Sequence, residues 1–289
     1  MTNTVFATFV YPGSEMHLPK MLRSLNAQSD HDFDIVIFND GVQTIGKICE
    51  KFLIKSPEIM SVQGSIPKIR TLGLAQLKNL GYDNVIFGDA DDSFAQNRVE
   101  VSKNLLQLYD LVVNEIDVHN TSVGQVLPRY FQKRIPVNTQ FDFEVIRECN
   151  FIGFTNSSVR ASQIPTIDFP DHITAVDWAL FSTLLLQGAT AFFTSETTSS
   201  YFVHKKSHYD LLSKDPESAI YKARVKSQHY NYLSSIGFAF EKEYEQNEAL
   251  LHKLTSGISH DFYDLKQFGY SEYPLWWDLH TIVSEEKRK

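Results

Sequence analysis

Short apolar runs typical of β-strands alternate with stretches of helical spacing over the first hundred residues. Strands are predicted for Val5 to Tyr11 and Phe33 to Phe38, and helices for Pro19 to Gln28 and Ile45 to Phe52. In the first helix the apolar residues recur three and four positions apart, so one face should pack on a sheet. This alternation predicts an α/β fold with a mixed, mainly parallel central sheet flanked by helices.

The same pattern continues to a cluster of acidic residues. A strand near Glu58 to Val62 and a helix from about Pro67 to Leu80 precede the strand Asn84 to Gly88, which runs directly into Asp89-Ala-Asp-Asp92. Asn39-Asp40-Gly41 follows an earlier strand in the same way. Ligands of open α/β sheets bind beyond the carboxyl ends of the strands, so we expect both acidic segments at one edge of the sheet.

After Tyr109 the pattern changes to longer β segments mixed with short helices. We expect one domain over about residues 1–205, with halves of about 1–110 and 111–205, and an appended helical region over 206–289. The second half is predicted to contain strands at Leu111 to Ile116, Gly124 to Phe131, Ala191 to Thr194 and Tyr201 to His204, and helices near Glu144 to Cys149 and Thr174 to Gln187.

The composition excludes several classes of protein. The 289 residues are 43% hydrophobic and 21% charged, which suits one sizeable globular core. A formal net charge of -8 argues against nucleic acid as a partner, since binding its phosphates needs clustered Lys and Arg. The two cysteines, Cys49 and Cys149, form no CxxC pair, so a disulfide framework or thiolate zinc site is not indicated and a reducing, cytoplasmic setting is expected.

No segment of the sequence has the pattern of a leader or a membrane span. The N-terminus lacks a positively charged start and a small-residue cleavage site, and it is interpreted as a first strand. The longest apolar run, Trp178 to Phe193, is interrupted by polar residues and is too short to cross a bilayer. We therefore expect a soluble protein.

The segment Asp89-Ala-Asp-Asp92 is the main candidate for chemistry. A hard divalent cation held by few carboxylates and by substrate phosphates would neutralise the charge that develops on a diphosphate leaving group. The alternative is that Asp91, Asp92 or Ser93 caps a helix that begins near Asn97. Three uncompensated carboxylates in four residues would repel one another, which favours the metal.

Several segments together resemble family 2 glycosyltransferases with the GT-A fold, over roughly Val5 to His204. That family's first nucleotide-binding half is similar to the opening strand, the helix with Leu22-Arg-Ser-Leu25 and Gln28, and the run Phe33 to Gly41. Lys68-Ile-Arg-Thr-Leu-Gly73 resembles its Ala-Arg-Asn-x-Gly stretch, and Phe87 to Asp92 resembles its Asp-Ser-Asp-Asp metal motif. The resemblance implies a nucleotide-binding half over 1–110, an acceptor half over 111–205, and metal-dependent, inverting transfer from a nucleotide diphosphate sugar, expected to be a UDP-sugar.

The resemblance also assigns the donor site. It implies that Asp40 contacts the uracil, that Arg70 lies close to the nucleotide or its phosphates, and that Asp89 faces the ribose or the metal. The neighbouring Tyr11 and Ala90 are included among the residues that bind the nucleotide sugar. Taken alone, Asp40 is typical of a turn residue before a glycine and Arg70 of a surface helix charge.

The same resemblance implies the metal ligands. Asp91 is expected to bind Mn²⁺ or Mg²⁺ directly. His204, which follows an apolar strand, resembles the C-terminal histidine that helps to hold metal or diphosphate in many GT-A enzymes. A single histidine is often structural, and His208 is an alternative for the same role.

Asp177 is the predicted catalytic base. It matches the position of the base at the start of a late helix of the family, and it would take the proton from the acceptor hydroxyl as that oxygen attacks the anomeric carbon. The alternative is a first-turn carboxylate favoured by the helix dipole. Asp168 and Asp171 are nearby rivals, and Trp178 is assigned either to stacking on an acceptor sugar or to core packing.

Three positions depart from the family pattern. Asn39, Thr71 and Val176 stand where the family usually has aspartate, asparagine and glutamate. The Gln-x-x-Arg-Trp signature of processive synthases is absent, which favours transfer of a single sugar. Gly41 to Lys47 matches a P-loop, but Ile48 replaces the Ser or Thr that holds magnesium, so ATPase chemistry is rejected.

Two rival functions remain open. One is a sugar-phosphate nucleotidyltransferase, although Tyr11 to His17 lacks the glycine-rich, basic loop that such an enzyme needs. The other is a non-catalytic binder of nucleotide sugars. The acceptor is expected to be a glycan or a lipid-linked glycan of the kind found in bacterial lipopolysaccharide or capsule. The stretch Tyr273 to Trp277 is assigned to contact with a lipid-linked acceptor or membrane surface, to a homo-oligomer contact, or to a core.

Overall fold

The computed structural model describes residues 3–121, 124–132, 135–203 and 216–256, and within them the strands form one sheet. The strands are β1 (Thr4–Val10), β2 (Asp34–Asn39), β3 (Glu58–Ser61), β4 (Asn84–Phe87), β5 (Ser93–Phe94), β6 (Leu111–Asn120), β7 (Gln125–Leu127), β8 (Thr139–Phe141), β9 (Ser157–Arg160) and β10 (Ala191–Val203). The α-helices are α1 (Leu18–Asn26), α2 (Ile45–Phe52), α3 (Ile66–Asn79), α4 (Arg98–Leu105), α5 (Val176–Leu186), α6 (Pro216–Ser235) and α7 (Glu241–Thr255).

The sheet confirms the predicted mixed, mainly parallel topology. Its order is β3-β2-β1-β4-β9-β6-β10-β5, with β7 paired to β6 and β8 paired to β10. The first four strands are parallel, β9 runs antiparallel between β4 and β6, and β6 and β10 are parallel. The carboxyl ends of β1, β2 and β4 therefore lie along one edge, as expected from the sequence.

Helices cover both faces of the sheet. Successive side chains of a strand point to opposite faces, and in β1 all of them are buried, so both faces need a covering layer. In β1, Val5, Ala7 and Phe9 belong to the cluster that includes α3 and α5. Phe6 and Val10 belong to the cluster that includes α1 and α2. The fold is thus a three-layer α/β arrangement with a separate core on each side of the sheet.

Two local predictions for the second half are wrong. The two short strands expected at 191–194 and 201–204 fall in one strand, β10, which extends to Val203 and whose register against β6 shifts between Thr194 and Thr198. The helix expected at Glu144 to Cys149 is a single 3₁₀ turn over Phe143–Val145. The Asp142 carboxylate accepts a hydrogen bond from the Glu144 N–H at 3.0 Å and so caps this short turn.

The described part of the C-terminal helical region packs on the main core. Tyr230, Leu233 and Phe240 belong to the same cluster as α3 and α5. Arg147 contacts this region, since its guanidinium lies 5.3 Å from the centre of the Phe240 ring. Tyr273 to Trp277 lies outside the described residues. Among the helices that are described, none is long and apolar enough to cross a bilayer.

Candidate active site

Strand β4 delivers the acidic cluster to the edge of the sheet. All four residues of β4 are buried, and Gly88, which follows it, has no room for a side chain because Phe6 and Phe94 occupy that space. Asp89 and Asp91 are partly exposed at this edge, whereas the Ala90 side chain is buried. The alternative assignment of the cluster as a helix cap is wrong, because β5 intervenes and Asn97 is the N-cap residue of α4.

Asp92 turns inward and is fully buried. One of its carboxylate oxygens accepts a hydrogen bond from the Phe202 N–H at 2.9 Å, and the other contacts the Thr155 hydroxyl. Burial and the neighbouring carboxylate of Asp91 hold the pKa of Asp92 well above its usual range. Asp92 is therefore a structural member of the cluster, and only Asp89 and Asp91 face the site.

Two arginines, Arg98 and Arg70, lie next to the acidic cluster. Arg98 is fully buried, donates to the Phe87 carbonyl at 2.6 Å, and acts electrostatically on Asp92 and Asp89. Arg70 places Nη2 3.6 Å from Asp89 Oδ1. The chain thus offsets part of the repulsion between the carboxylates itself, which weakens the sequence argument that three uncompensated charges require a metal.

Arg70 is held by the side chains around it. Its guanidinium carbon lies 4.0 Å from the centre of the Phe9 ring and 4.4 Å from that of Phe154. Burial lowers its pKa, and the nearby carboxylates of Asp89 and Asp177 oppose this effect. Nη1 is buried without a hydrogen-bond partner among the described residues. Arg70 is therefore a rigidly placed cation with donor capacity left for a ligand, not the surface charge that its sequence alone would allow.

Asp40 and Tyr11 lie at the outer part of the same edge. Asp40 follows β2, and its N–H donates to the Val10 carbonyl at 2.9 Å. Its carboxylate makes no hydrogen bond or ion pair with any described residue, and it remains partly exposed. Tyr11 follows β1 and is half exposed, yet shielding of its phenol, with the charges of Asp91 and Asp89, raises its pKa to about 12.

Asp177 is in the first turn of α5. Its Oδ1 accepts a hydrogen bond from the Trp178 N–H at 2.8 Å. Its deep position raises the pKa of the carboxyl to about 6. The charge of Asp89 adds to this shift, and the Trp178 N–H and the Asn150 amide reduce it. The rivals Asp168 and Asp171 are exposed in the preceding loop, where they contact Lys68 and Ser65 of the α3 region.

A cavity of about 150 Å³ brings Asp89 and Asp177 together, although 88 positions of sequence separate them. One part of its wall is aromatic or aliphatic and another is polar. Its lining consists of Asp89, Ile116, Phe131, Asn150, Phe151, Gly153, Thr155, Asn156, Asp177 and Tyr201. A wall of this mixed character suits a sugar ring, which has apolar C–H faces and hydroxyl groups at its edge.

The sequence did not single out Asn150, Thr155 or Asn156. Thr155 donates to Asp89 Oδ2 at 2.8 Å. Asn156 accepts from the Gly153 N–H at 2.9 Å and donates to the Phe151 carbonyl at 3.2 Å, which fixes this loop. The available signal was the polar run that begins at Thr155-Asn156 directly after the mainly apolar Phe151 to Phe154, since polar side chains that are buried need specific partners.

Trp178 does not reach the cavity. It is fully buried, donates from Nε1 to the Ile146 carbonyl at 2.8 Å, and stacks on His229 with ring centres 3.8 Å apart. Its assignment to acceptor stacking is therefore wrong, and core packing is its role.

Two of the departures from the family pattern have local structural roles. The Asn39 side chain accepts from the Val42 N–H at 2.9 Å and so closes the turn that contains Asp40. Thr71 accepts from the Phe169 N–H at 3.1 Å, which ties α3 to the loop before α5. The helices that carry Arg70 and Asp177 are thereby connected.

The carboxylates of Asp89 and Asp91 fit a hard divalent cation. Burial and repulsion from Asp89 raise the pKa of Asp91 to about 6, a cost that a bound cation would relieve. No group of three His, Cys, Asp or Glu side chains close enough to hold a metal occurs among the described residues. His204 and His208 lie outside those residues. Substrate phosphates would therefore have to complete the ligand set.

Comparison with known proteins places this arrangement in a known fold. No protein-family model and no curated protein sequence matches the chain. S. aureus TarS in complex with UDP-GlcNAc is similar in structure, with a TM-score of 0.59 and 17% identity over 89% of this chain and 73% of that chain. GalNAc-T7 with UDP, GalNAc and Mn²⁺ gives a TM-score of 0.59 and 10% identity over 95% of this chain and 58% of that chain.

A third similar structure is the mannosyltransferase PcManGT from Pyrobaculum calidifontis in complex with GDP-Man and Mn²⁺. Its TM-score is 0.56, with 15% identity over 87% of this chain and 70% of that chain. Identities this low establish architecture alone. The likenesses show that this chain has the GT-A fold, as the sequence resemblance implied.

Proposed function

We propose that this chain is an inverting glycosyltransferase that moves a sugar from a nucleotide diphosphate to a hydroxyl group of a glycan or lipid-linked glycan. The observation that carries the proposal is that Asp89 and Asp177 line one cavity, with Arg70 beside Asp89. The donor is proposed to be a UDP-sugar, since two of the three similar structures contain UDP or UDP-GlcNAc and the third contains GDP-Man.

Asp177 is proposed as the base. A carboxyl group with a pKa of about 6 is ionised at neutral pH and is a stronger base than an ordinary aspartate. It takes the proton of the acceptor hydroxyl as that oxygen forms a bond to the anomeric carbon. The bond from this carbon to the diphosphate oxygen breaks on the opposite face, which inverts the configuration.

Arg70 is proposed to bind the leaving diphosphate with its unused Nη1–H donors. Mn²⁺ or Mg²⁺, held by Asp91 and the phosphates, would neutralise part of the negative charge that develops on the leaving diphosphate. Asp40 and Tyr11 are proposed to contact the nucleobase and the ribose of the donor, because both are at least partly exposed at the edge of the sheet where the parallel strands end. His204 remains a predicted second metal ligand.

Calorimetric titration tests the donor site. UDP, GDP, CMP and ADP are titrated into the protein with and without Mn²⁺, and Asp91→Ala is compared with Asp168→Ala, which removes an exposed carboxylate outside the cavity. We expect metal-dependent UDP binding that Asp91→Ala abolishes and Asp168→Ala retains. If no nucleotide binds to the native protein, the proposed function is wrong.

A donor screen then tests catalysis. Release of nucleoside diphosphate is measured with UDP-GlcNAc, UDP-GalNAc, UDP-glucose and GDP-mannose. We expect turnover with at least one donor that is lost in Asp177→Asn. Nucleotide binding without any turnover would instead identify a non-catalytic binder of nucleotide sugars.

A further inference from the structure

Asn150 lies beside the proposed base with one of its two polar atoms unused. Its side chain is 3% exposed and lines the cavity. Asp177 lines the same cavity, and the Asn150 amide lowers the pKa of the Asp177 carboxyl. Only the Nδ2 end of an amide can donate to a carboxylate, so Nδ2 is the atom that would act on Asp177. Oδ1 is buried and has no hydrogen-bond partner among the described residues.

A buried amide oxygen without a partner is unfavourable for folding, so its presence calls for an explanation. Asn156 provides a contrast within the same cavity wall. It is equally buried, but its Oδ1 accepts from the Gly153 N–H and its Nδ2 donates to the carbonyls of Phe151 and Asn114. Asn156 thus has partners for both polar atoms, whereas the oxygen of Asn150 has none among the described residues.

The neighbourhood of Asn150 indicates what could bind this oxygen. The cavity wall combines Phe131, Phe151 and Tyr201 with the polar side chains, and a volume of about 150 Å³ is far above that of a single water site. A sugar hydroxyl can donate to an amide oxygen, while a carboxylate next to it takes the proton of an attacking hydroxyl.

We propose that Asn150 is a positioning residue that holds the Asp177 carboxylate through Nδ2 and accepts a hydrogen bond from a sugar hydroxyl through Oδ1. This inference rests on the proposed function. The charged groups that face Asp177 are Asp89 after β4 and Arg70 on α3, and both stay in place when Asn150 is changed. A neutral substitution of Asn150 therefore tests the amide donor separately from these charges.

Two substitutions distinguish the role of Nδ2 from that of Oδ1. Asn150→Leu has a similar shape and removes both the donor and the acceptor. Asn150→Asp keeps an acceptor oxygen, removes the amide donor and adds a carboxylate beside Asp177. Thermal unfolding establishes that each variant is folded, and the neutral Asn150→Ala replaces Asn150→Leu if the latter is not.

The first measurement needs no substrate. Aspartate carboxyl carbons are labelled with ¹³C and titrated by NMR in the native protein and in both variants, and Asp177→Asn identifies the Asp177 signal. We expect the titration midpoint of Asp177 to rise by about one pH unit in Asn150→Leu, since an amide donor that stabilises the charged form is lost. It should rise further in Asn150→Asp, because the new carboxylate also repels the charged form. An unchanged midpoint in Asn150→Leu would overturn the positioning role, whatever the outcome of the donor screen.

The second measurement uses the donor that turns over in the screen, from UDP-GlcNAc, UDP-GalNAc, UDP-glucose and GDP-mannose. Hydrolysis of this donor without acceptor is compared with transfer to methyl glycopyranosides. We expect Asn150→Leu to raise a KM about fivefold to tenfold and Asn150→Asp to leave it near the native value. A raised donor KM in hydrolysis identifies a donor hydroxyl, and a raised acceptor KM alone identifies an acceptor hydroxyl. If neither KM changes, the contact with a sugar is disproved.

Discussion

The Thr155 hydroxyl donates to Asp89 Oδ2 across 2.8 Å, and the same hydroxyl also contacts the buried carboxyl group of Asp92. One side chain therefore links the member of the acidic cluster that faces the cavity with the member that faces the core. Because Thr155 is 4% exposed, water cannot easily replace these hydrogen bonds.

Thr155→Val keeps the shape of the side chain and removes the hydroxyl. We expect the free energy of unfolding to fall by about 1–3 kcal/mol, since Asp92 loses a partner, and turnover to fall because Asp89 is no longer fixed. Thr155→Ser keeps the hydroxyl and is the matched control. Urea unfolding and nucleoside diphosphate release measure the two effects. Equal stability of the Val and Ser variants would contradict the bridging role.

Arg70→Lys tests whether the planar guanidinium matters. A lysine keeps the charge but cannot fill the space between Phe9 and Phe154 or present several fixed donors, so UDP affinity should fall about tenfold or more. Lys68→Met on the same helix removes a half-exposed charge 3.9 Å from Asp168 and should change the affinity by less than about twofold. Calorimetry measures both, and native affinity in Arg70→Lys would show that Arg70 does not bind the phosphates.

The sequence predicted the parallel half of the sheet better than the second half. The strands before Asp40 and Asp89 are short apolar runs bounded by turns, so their period and their ends were readable. Strand β9, in contrast, begins with Ser157 and Ser158, which are buried and polar and give no apolar run. Its antiparallel position between β4 and β6 depends on contacts distant in sequence.

The candidate site shows the same division. Asp40, Arg70, Asp89 and Asp91 follow a recognisable order along the chain and lie near one edge of the sheet. The lining residues Asn150 and Thr155 are recognisable only in the folded structure. Thr155, for example, hydrogen-bonds Asp89, which is 66 positions earlier in the sequence. Trp178 was assigned ambiguously because local sequence does not reveal that His229 covers its ring.

Asp177→Asn should lower the rate of transfer by about 100-fold or more, since the amide cannot accept the proton of the acceptor. UDP affinity should stay within about twofold, because the amide keeps the shape of the side chain. In the native protein, kcat/KM should rise with pH through about 6, where the carboxyl becomes ionised. Asp168→Asn and Asp171→Asn are the controls. Retained activity in Asp177→Asn, with loss in either control, would move the base to the preceding loop.

Asp177 should also make the stability of the fold depend on pH. Its pKa is about 6 in the folded protein and near 3.8 in the unfolded chain, so the folded state binds the proton more tightly. The stabilisation from this proton is fully present below about pH 3.8 and is lost as the pH rises through about 6. Asp177→Asn carries no charge to desolvate, so its stability relative to the native protein should increase from pH 5 to pH 8.

We expect this gain to reach about 1–2 kcal/mol at pH 8, less than the full shift would give, because part of the side chain faces the cavity. Urea unfolding at pH 5, 6, 7 and 8 measures it, and Asp168→Asn, which changes an exposed carboxylate, is the control. A constant difference between Asp177→Asn and the native protein across this range would mean that the Asp177 pKa is not raised. A widening difference, together with lost turnover, would show that the fold tolerates an unfavourable charge at the position where the proposed reaction needs a base.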